Sequence, residues 1–181
     1  MLFIKSSIAL VLTAFTFGFS LAHAESRADL DRSARSVLNQ LVASNANAKK
    51  LNEKAIATLV FPVVTKAGFI VGGQYGDGVL FKQGRPAAYY NTAGASYGLQ
   101  AGAQQYGYVL FFMKEAALSA LDSTQGFEVG VGPSVVLVDQ GVATSTTTIT
   151  AQDDIYAFIT DQKGAMAGIG IQGNKITKLG K

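Results

Sequence analysis

Lys66-Ala-Gly-Phe-Ile-Val-Gly-Gly-Gln-Tyr-Gly-Asp-Gly-Val-Leu80 is the stretch on which the reading of this chain turns. It has the make-up of a β-strand running into a turn, yet Gly68, Gly72, Gly76 and Gly78 all fall on one parity. Side chains alternate faces along a strand, so one face is left nearly bare. Glycine inside an element costs roughly 0.5–1 kcal/mol relative to alanine, so a chain that repeats the device has a use for it. The parity recurs at Gly94, Gly98 and Gly102, at Gly126, Gly130 and Gly132, and at Gly164, Gly168 and Gly170. The pattern predicts a small, sharply curved sheet with something lying very close to its bare face.

Outward from that block, the β pattern is expected to run from Thr65 to the end. Candidate strands are Ala67–Gln74, Gly78–Lys82, Ala87–Tyr90, Ala95–Gln104, Tyr106–Phe112, Gly126–Val138, Ala143–Thr150, Ile155–Thr160, Ala165–Ile171 and Lys175–Lys178. Gln83-Gly84 and Gly173-Asn174 are read as hairpin turns. One helix, Lys114–Leu121, interrupts the strands. Before the β region, Leu30, Ala34, Val37, Leu38, Leu41 and Val42 form an apolar stripe at helical spacing over residues 28–43. A second helix is expected from Ala48 to about Ala57, ended by Leu59-Val-Phe-Pro62, because proline disfavours helix at the residue before it.

Residues 1–24 read as a cleaved signal peptide. Lys5 gives a positive start, Ile8 to Leu21 an apolar run too short for a ~20-residue span, and Ala22-His23-Ala24 a small-x-small exit. An exported, periplasmic protein is expected, without a lipid anchor because there is no cysteine. Residues 25–181 then form one domain, helical over 25–60 and β-rich over 65–181. His23 is the sole histidine, so the mature chain has neither His nor Cys. That excludes Ser-His-Asp and Cys-His nucleophile systems and every Cys/His zinc site. Charge is uneven: Arg27, Arg32, Arg35, Lys49, Lys50 and Lys54 crowd the first segment, the middle is acidic, and Lys163, Lys175, Lys178 and Lys181 end the chain. A basic start and end suggest an anionic surface, or else ordinary solubilising charge.

Other motifs weigh less. Gly168-Ile-Gly-Ile-Gln-Gly173 matches a dinucleotide fingerprint, but no helix or ribose-binding acid follows it. Asp153-Asp154 and Asp77 are read first as turn residues; as catalytic carboxylates they would need to converge in one cleft. The six tyrosines from Tyr75 to Tyr108 lie in strands of the acidic middle, which favours packing over nucleic-acid stacking.

Three blocks resemble one family. Lys66–Val71 with Gly76-x-Gly78, Val129-Gly-Val-Gly-Pro133, and Lys163-Gly-Ala-Met-Ala-Gly168 with Gly173 look like the SYLF domain, the lipid-binding domain of yeast and animal actin-regulating Src-homology-3 proteins. The likeness spans about residues 28–181. It implies that Lys66, Gly68, Gly76, Gly78, Gly132, Pro133 and Gly168 are structural motif positions. It also implies anionic-lipid or phosphoinositide binding, with Arg27, Arg32 and Arg35 as lipid contacts and Lys49, Lys50 and Lys54 beside them. Actin binding in the eukaryotic members does not suit an exported protein. The Trp-Ser-Pro element usual in those members is replaced near Ala87-Ala-Tyr-Tyr90, and no Src-homology-3 domain is expected within these residues.

The expectation is therefore an α+β domain, mainly antiparallel sheet closed or nearly closed into a small Gly-rich barrel, with two N-terminal helices and one internal helix. Its expected role is non-enzymatic contact with anionic phospholipid, without cofactor, metal or nucleic acid. The alternatives are a structural or protein-interaction module of the cell envelope and, more remotely, a carboxylate hydrolase using Asp77, Asp153 or Asp154.

Overall fold

Two very long strands carry the fold in the computed structural model, which describes residues 26–123, 126–138, 152–163, 171 and 173–180. They are β1 (Ala57–Lys82) and β2 (Arg85–Phe112), paired antiparallel along their whole length. The two-residue turn between them has φ 50° at Gln83 and 72° at Gly84. This is the left-handed geometry whose twist suits a tight hairpin. A straight strand of this length would reach roughly 85 Å, far beyond the size of a small domain, so the hairpin has to bend. Register shifts between Phe61 and Val64 and between Gly68 and Ile70 mark the bends.

The remaining elements are α1 (Arg27–Ser44), α2 (Ala46–Lys54), α3 (Glu115–Ala120), β3 (Phe127–Glu128), β4 (Val135–Val138), β5 (Ile155–Lys163) and β6 (Lys175–Lys178). The six-stranded sheet runs β3-β6-β2-β5-β4, with β1 also paired to β2. All pairs are antiparallel except β4 with β5. The result is the α+β architecture expected, a sheet curled into a nearly closed half-barrel.

The close neighbour of the glycine face is β1 itself. A Cβ on Gly76 would stand 2.5 Å from the Val63 carbonyl oxygen, and one on Gly78 would stand 2.7 Å from that of Val60. The two halves of β1 thus meet backbone to backbone where the curl closes. Inside the curl lie Leu59, Phe61, Val64, Leu80, Tyr90, Tyr106, Tyr108, Leu110, Phe112 and Ile176. Val60, Val79, Phe81, Val109, Phe111 and Phe158 form a second cluster with Leu30, Ala34 and Leu41 of α1 and Ala48 and Leu51 of α2. Because Val60 and Val79 come from the two halves of β1, α1 straddles the seam.

Several expected boundaries change. The second helix ends at Lys54 rather than Ala57, and the β region starts at Ala57 rather than Thr65. Leu59, Val60 and Phe61 are all fully buried, so the strand there shows no alternation, and Pro62 sits in a bulge rather than ending a helix. The five segments between Ala67 and Phe112 are parts of two strands, since their glycines bend the hairpin without ending it. Gly126–Val138 is β3 and β4 separated by a turn, with φ 97° at Gly130 and 93° at Gly132. The signal peptide, the Ala143–Thr150 strand, Gly164, Gly168 and Gly170, and all of Ala165–Ile171 but its last residue lie outside the described residues.

Candidate functional site

The N-terminal helices are built from local signals. Ser26 caps α1 by accepting from the Asp29 N–H at 3.2 Å. Asn45 ends α1 through its own N–H and starts α2 by accepting from the N–H groups of Asn47 (2.9 Å) and Ala48 (3.0 Å). One residue thus makes the break, satisfying donors that a helix start leaves open. Each fully buried leucine of the stripe contributes roughly 1.5–3 kcal/mol of docking. The stripe therefore covers the sheet.

The six basic residues do not converge. Arg27 donates to the Gly180 carbonyl at 2.7 Å and lies over the Tyr89 ring, 4.8 Å from its centroid. Tyr89 in turn donates to Asp31 at 3.2 Å. Arg35 donates to the Gly84 carbonyl at 3.2 Å and lies 5.2 Å over Phe81. Both arginines thus face the hairpin. Lys49, Lys50 and Lys54 are exposed on α2. Arg32 pairs with Asp29 at 3.0 Å yet keeps 77% of its side-chain surface exposed. The hydrogen bond from Ser26, then the charge of Arg32, hold the Asp29 carboxyl below its ordinary value.

Arg32 stands at a groove of about 440 Å³ between α1 and the sheet. From α1 come Arg32, Ser33, Ser36, Val37 and Gln40; from the sheet come Pro62, Val63, Gln105 and Tyr106. The groove follows from the Pro62 bulge, which leaves Val63 49% exposed. Opposite it Gly107 has no side chain; a Cβ there would press within 2.8 Å of the Pro62 carbonyl. Guanidinium, hydroxyls and amides above an apolar floor suit an amphiphile whose head is anionic and hydrogen-bonding.

The carboxylates are engaged in local structure. Asp77 accepts from Asn91 at 2.9 Å, and Asp153 accepts from the Tyr156 hydroxyl at 3.0 Å. Asp154 accepts from the Ser134 N–H at 2.8 Å and pairs with Lys114 at 2.8 Å. No group of three His, Cys, Asp or Glu residues suited to a metal occurs among the described residues.

Sequence reasoning missed a polar chain inside the curl. Tyr106 donates to Gln74 Oε1 at 2.7 Å, Gln74 Nε2 donates to Asn174 Oδ1, and Tyr108 donates to Thr92 at 2.6 Å. Both amide atoms of buried Gln104 lack a partner. The one signal was parity, since Gln74 shares the face of Gly72, Gly76 and Gly78.

Residues 93–180 match the family model described as Ysc84, Las17-binding protein actin regulator. That matched segment agrees with the SYLF resemblance carried by the sequence blocks. The match takes in the second and third blocks of the resemblance, whereas the Lys66–Gly78 block and α1 precede it. No curated protein matches the chain. The description of that family model is of a binding regulator rather than of an enzyme.

Proposed function

We propose that this chain is a SYLF-type, non-enzymatic, exported protein that contacts anionic phospholipid, with the Arg32 groove receiving the headgroup. The observation that carries the reading is the docking of α1: its apolar stripe faces the sheet, and its polar face roofs a groove holding an exposed guanidinium. Ser36, Gln40 and Gln105 offer hydrogen bonds to headgroup hydroxyls or phosphate oxygens, while Val37 and Val63 meet the apolar part. Lys49, Lys50 and Lys54 add attraction to an anionic surface, at roughly 1 kcal/mol for each basic residue close to it. Because the stripe is occupied, contact is peripheral.

Co-sedimentation of the mature chain with phosphatidylglycerol, cardiolipin or phosphoinositide vesicles at low salt tests the reading. Binding is expected, weakening with salt and with Arg32→Glu. Absence of binding to all three would sink it.

The family description favours a second reading, a protein-interaction module of the envelope. It predicts that Arg32→Glu with Arg35→Glu leaves membrane association unchanged and that pull-downs recover a specific protein.

A further inference from the structure

We infer that the turn joining β1 and β2 is a second anion-contact element, in which Lys82, Arg85 and Arg35 act together on the phosphates of a lipid surface. The inference rests on the lipid reading above but assigns a different part of the molecule. The register places Lys82 directly opposite Arg85, flanking a turn of only Gln83 and Gly84. Like charges opposed across a ladder destabilise a hairpin, and so short a turn cannot separate them. The Arg35 hydrogen bond to the Gly84 carbonyl brings a third cation to the same tip, fixed by the Phe81 ring. All three residues are exposed, as are Gln83 and Gly84.

The acids nearby do not cancel this charge. Asp122 lies close enough to Lys82 to be affected by it, but its carboxylate is already held by Lys178 at 2.6 Å and by the Tyr90 hydroxyl at 3.1 Å. Asp31, one helical turn before Arg35, forms no salt bridge with it and is turned to the Tyr89 hydroxyl instead. None of Lys82, Arg85 and Arg35 enters a salt bridge among the described residues. An exposed tip with three cations outside any salt bridge among the described residues matches a planar array of phosphates better than a single enclosed ion. Holding Arg35 in place also reduces the side-chain entropy lost on contact.

The test compares the protein with Lys82→Gln/Arg85→Gln and with a charge-matched Lys114→Gln/Lys175→Gln control in titrations of phosphatidylglycerol vesicles. Each basic residue near an anionic surface is worth on the order of a fivefold change in affinity, so the tip variant is expected to bind about 25-fold more weakly. The control should stay within about threefold, since its residues lie outside the contact. A melting temperature unchanged or raised, as relief of the Lys82–Arg85 repulsion predicts, confirms that the tip variant folds. If the unaltered protein binds and the tip variant binds equally well, the tip assignment falls while the lipid reading stands. An equal loss in the control reduces the effect to net charge and likewise overturns the assignment. If the unaltered protein does not bind vesicles, both fall. Saturable perturbation of Arg35 and Arg85 resonances by inorganic phosphate, without vesicle binding, would assign the tip to a soluble phosphate and overturn the surface reading.

Discussion

The carbonyl oxygen of Val63 lies 2.5 Å from the point where a Cβ on Gly76 would stand. The contact is made within one strand, and a backbone carbonyl held in a closing sheet has little room to move. Gly76→Ala should therefore lower stability by about 1–3 kcal/mol, the range for overpacking. Gly73 is the matched comparison, because a Cβ there meets only the Gly94 carbonyl at 3.9 Å. Gly73→Ala should be neutral or stabilising by about 0.5 kcal/mol through loss of unfolded-state freedom. Urea denaturation of both variants checks the difference, and equal effects would refute closure of β1 upon itself.

The same contact shows what was legible in the residues and what was not. Glycine parity announced a bare face and a close neighbour, because period-2 alternation is a local property. It could not name the neighbour, since the fold-back that brings Val63 to Gly76 is set by bulges whose effect accumulates over many residues. Pro62 was legible as a punctuator but ambiguous in kind, as proline both ends helices and sits in bulges. The α1 stripe was legible as amphipathic, yet the same stripe serves a sheet or a membrane; only the positions of Val60 and Val79 decide. Arg85 was overlooked because a turn normally exposes charge, and its significance appears only when Arg35 arrives from a distant helix. The likeness carried by Val129–Pro133 was specific because turns with positive φ accept few residues.

The interior of the curl gives a second test. Gln104 is buried with neither amide atom partnered, and an unsatisfied buried polar group costs about 1–3 kcal/mol. Methionine has similar length and no such requirement, so Gln104→Met should raise stability by about 1 kcal/mol. Tyr106→Phe should act in the opposite sense, because it removes the donor to Gln74 Oε1. Thermal melts of the two variants are expected to shift in opposite directions. A drop in both would show that Gln104 is held by an ordered water.

Acid should weaken the protein through a defined set of carboxylates. Asp122 is held below its ordinary value of 3.8 chiefly by the hydrogen bond from Lys178. Asp154 is lowered chiefly by the bond from Lys114, then by the backbone bond from Ser134. A folded value below the unfolded one means that the native state favours the ionised form. The stabilisation is fully present above pH 3.8 and is lost as pH falls through the lowered folded values. Denaturation midpoints measured downward from pH 5 should begin to drop near the ordinary carboxylate range, and Asp154→Asn should flatten part of that drop. An acid slope identical in Asp154→Asn and the unaltered protein would contradict the assignment.

Alkali should act through the buried phenols. Burial pushes Tyr106 up to about 12 from an ordinary value of 10.0. It raises Tyr90 and Tyr108 further, with Asp122 adding to the effect at Tyr90. Here the native state favours the neutral form, so the folded values exceed the unfolded ones. The stabilisation is complete below pH 10.0 and is lost as pH rises towards 12 and beyond. Tyrosinate absorbance of the native protein should therefore lag that of the urea-unfolded chain across this interval, with denaturation midpoints falling in parallel. Tyr106→Phe should shrink the lag by one phenol while leaving that of Tyr108, whose hydroxyl is held by Thr92. If the native and unfolded titrations coincide, Tyr106 and Tyr108 are open to solvent and the curl is not closed around them.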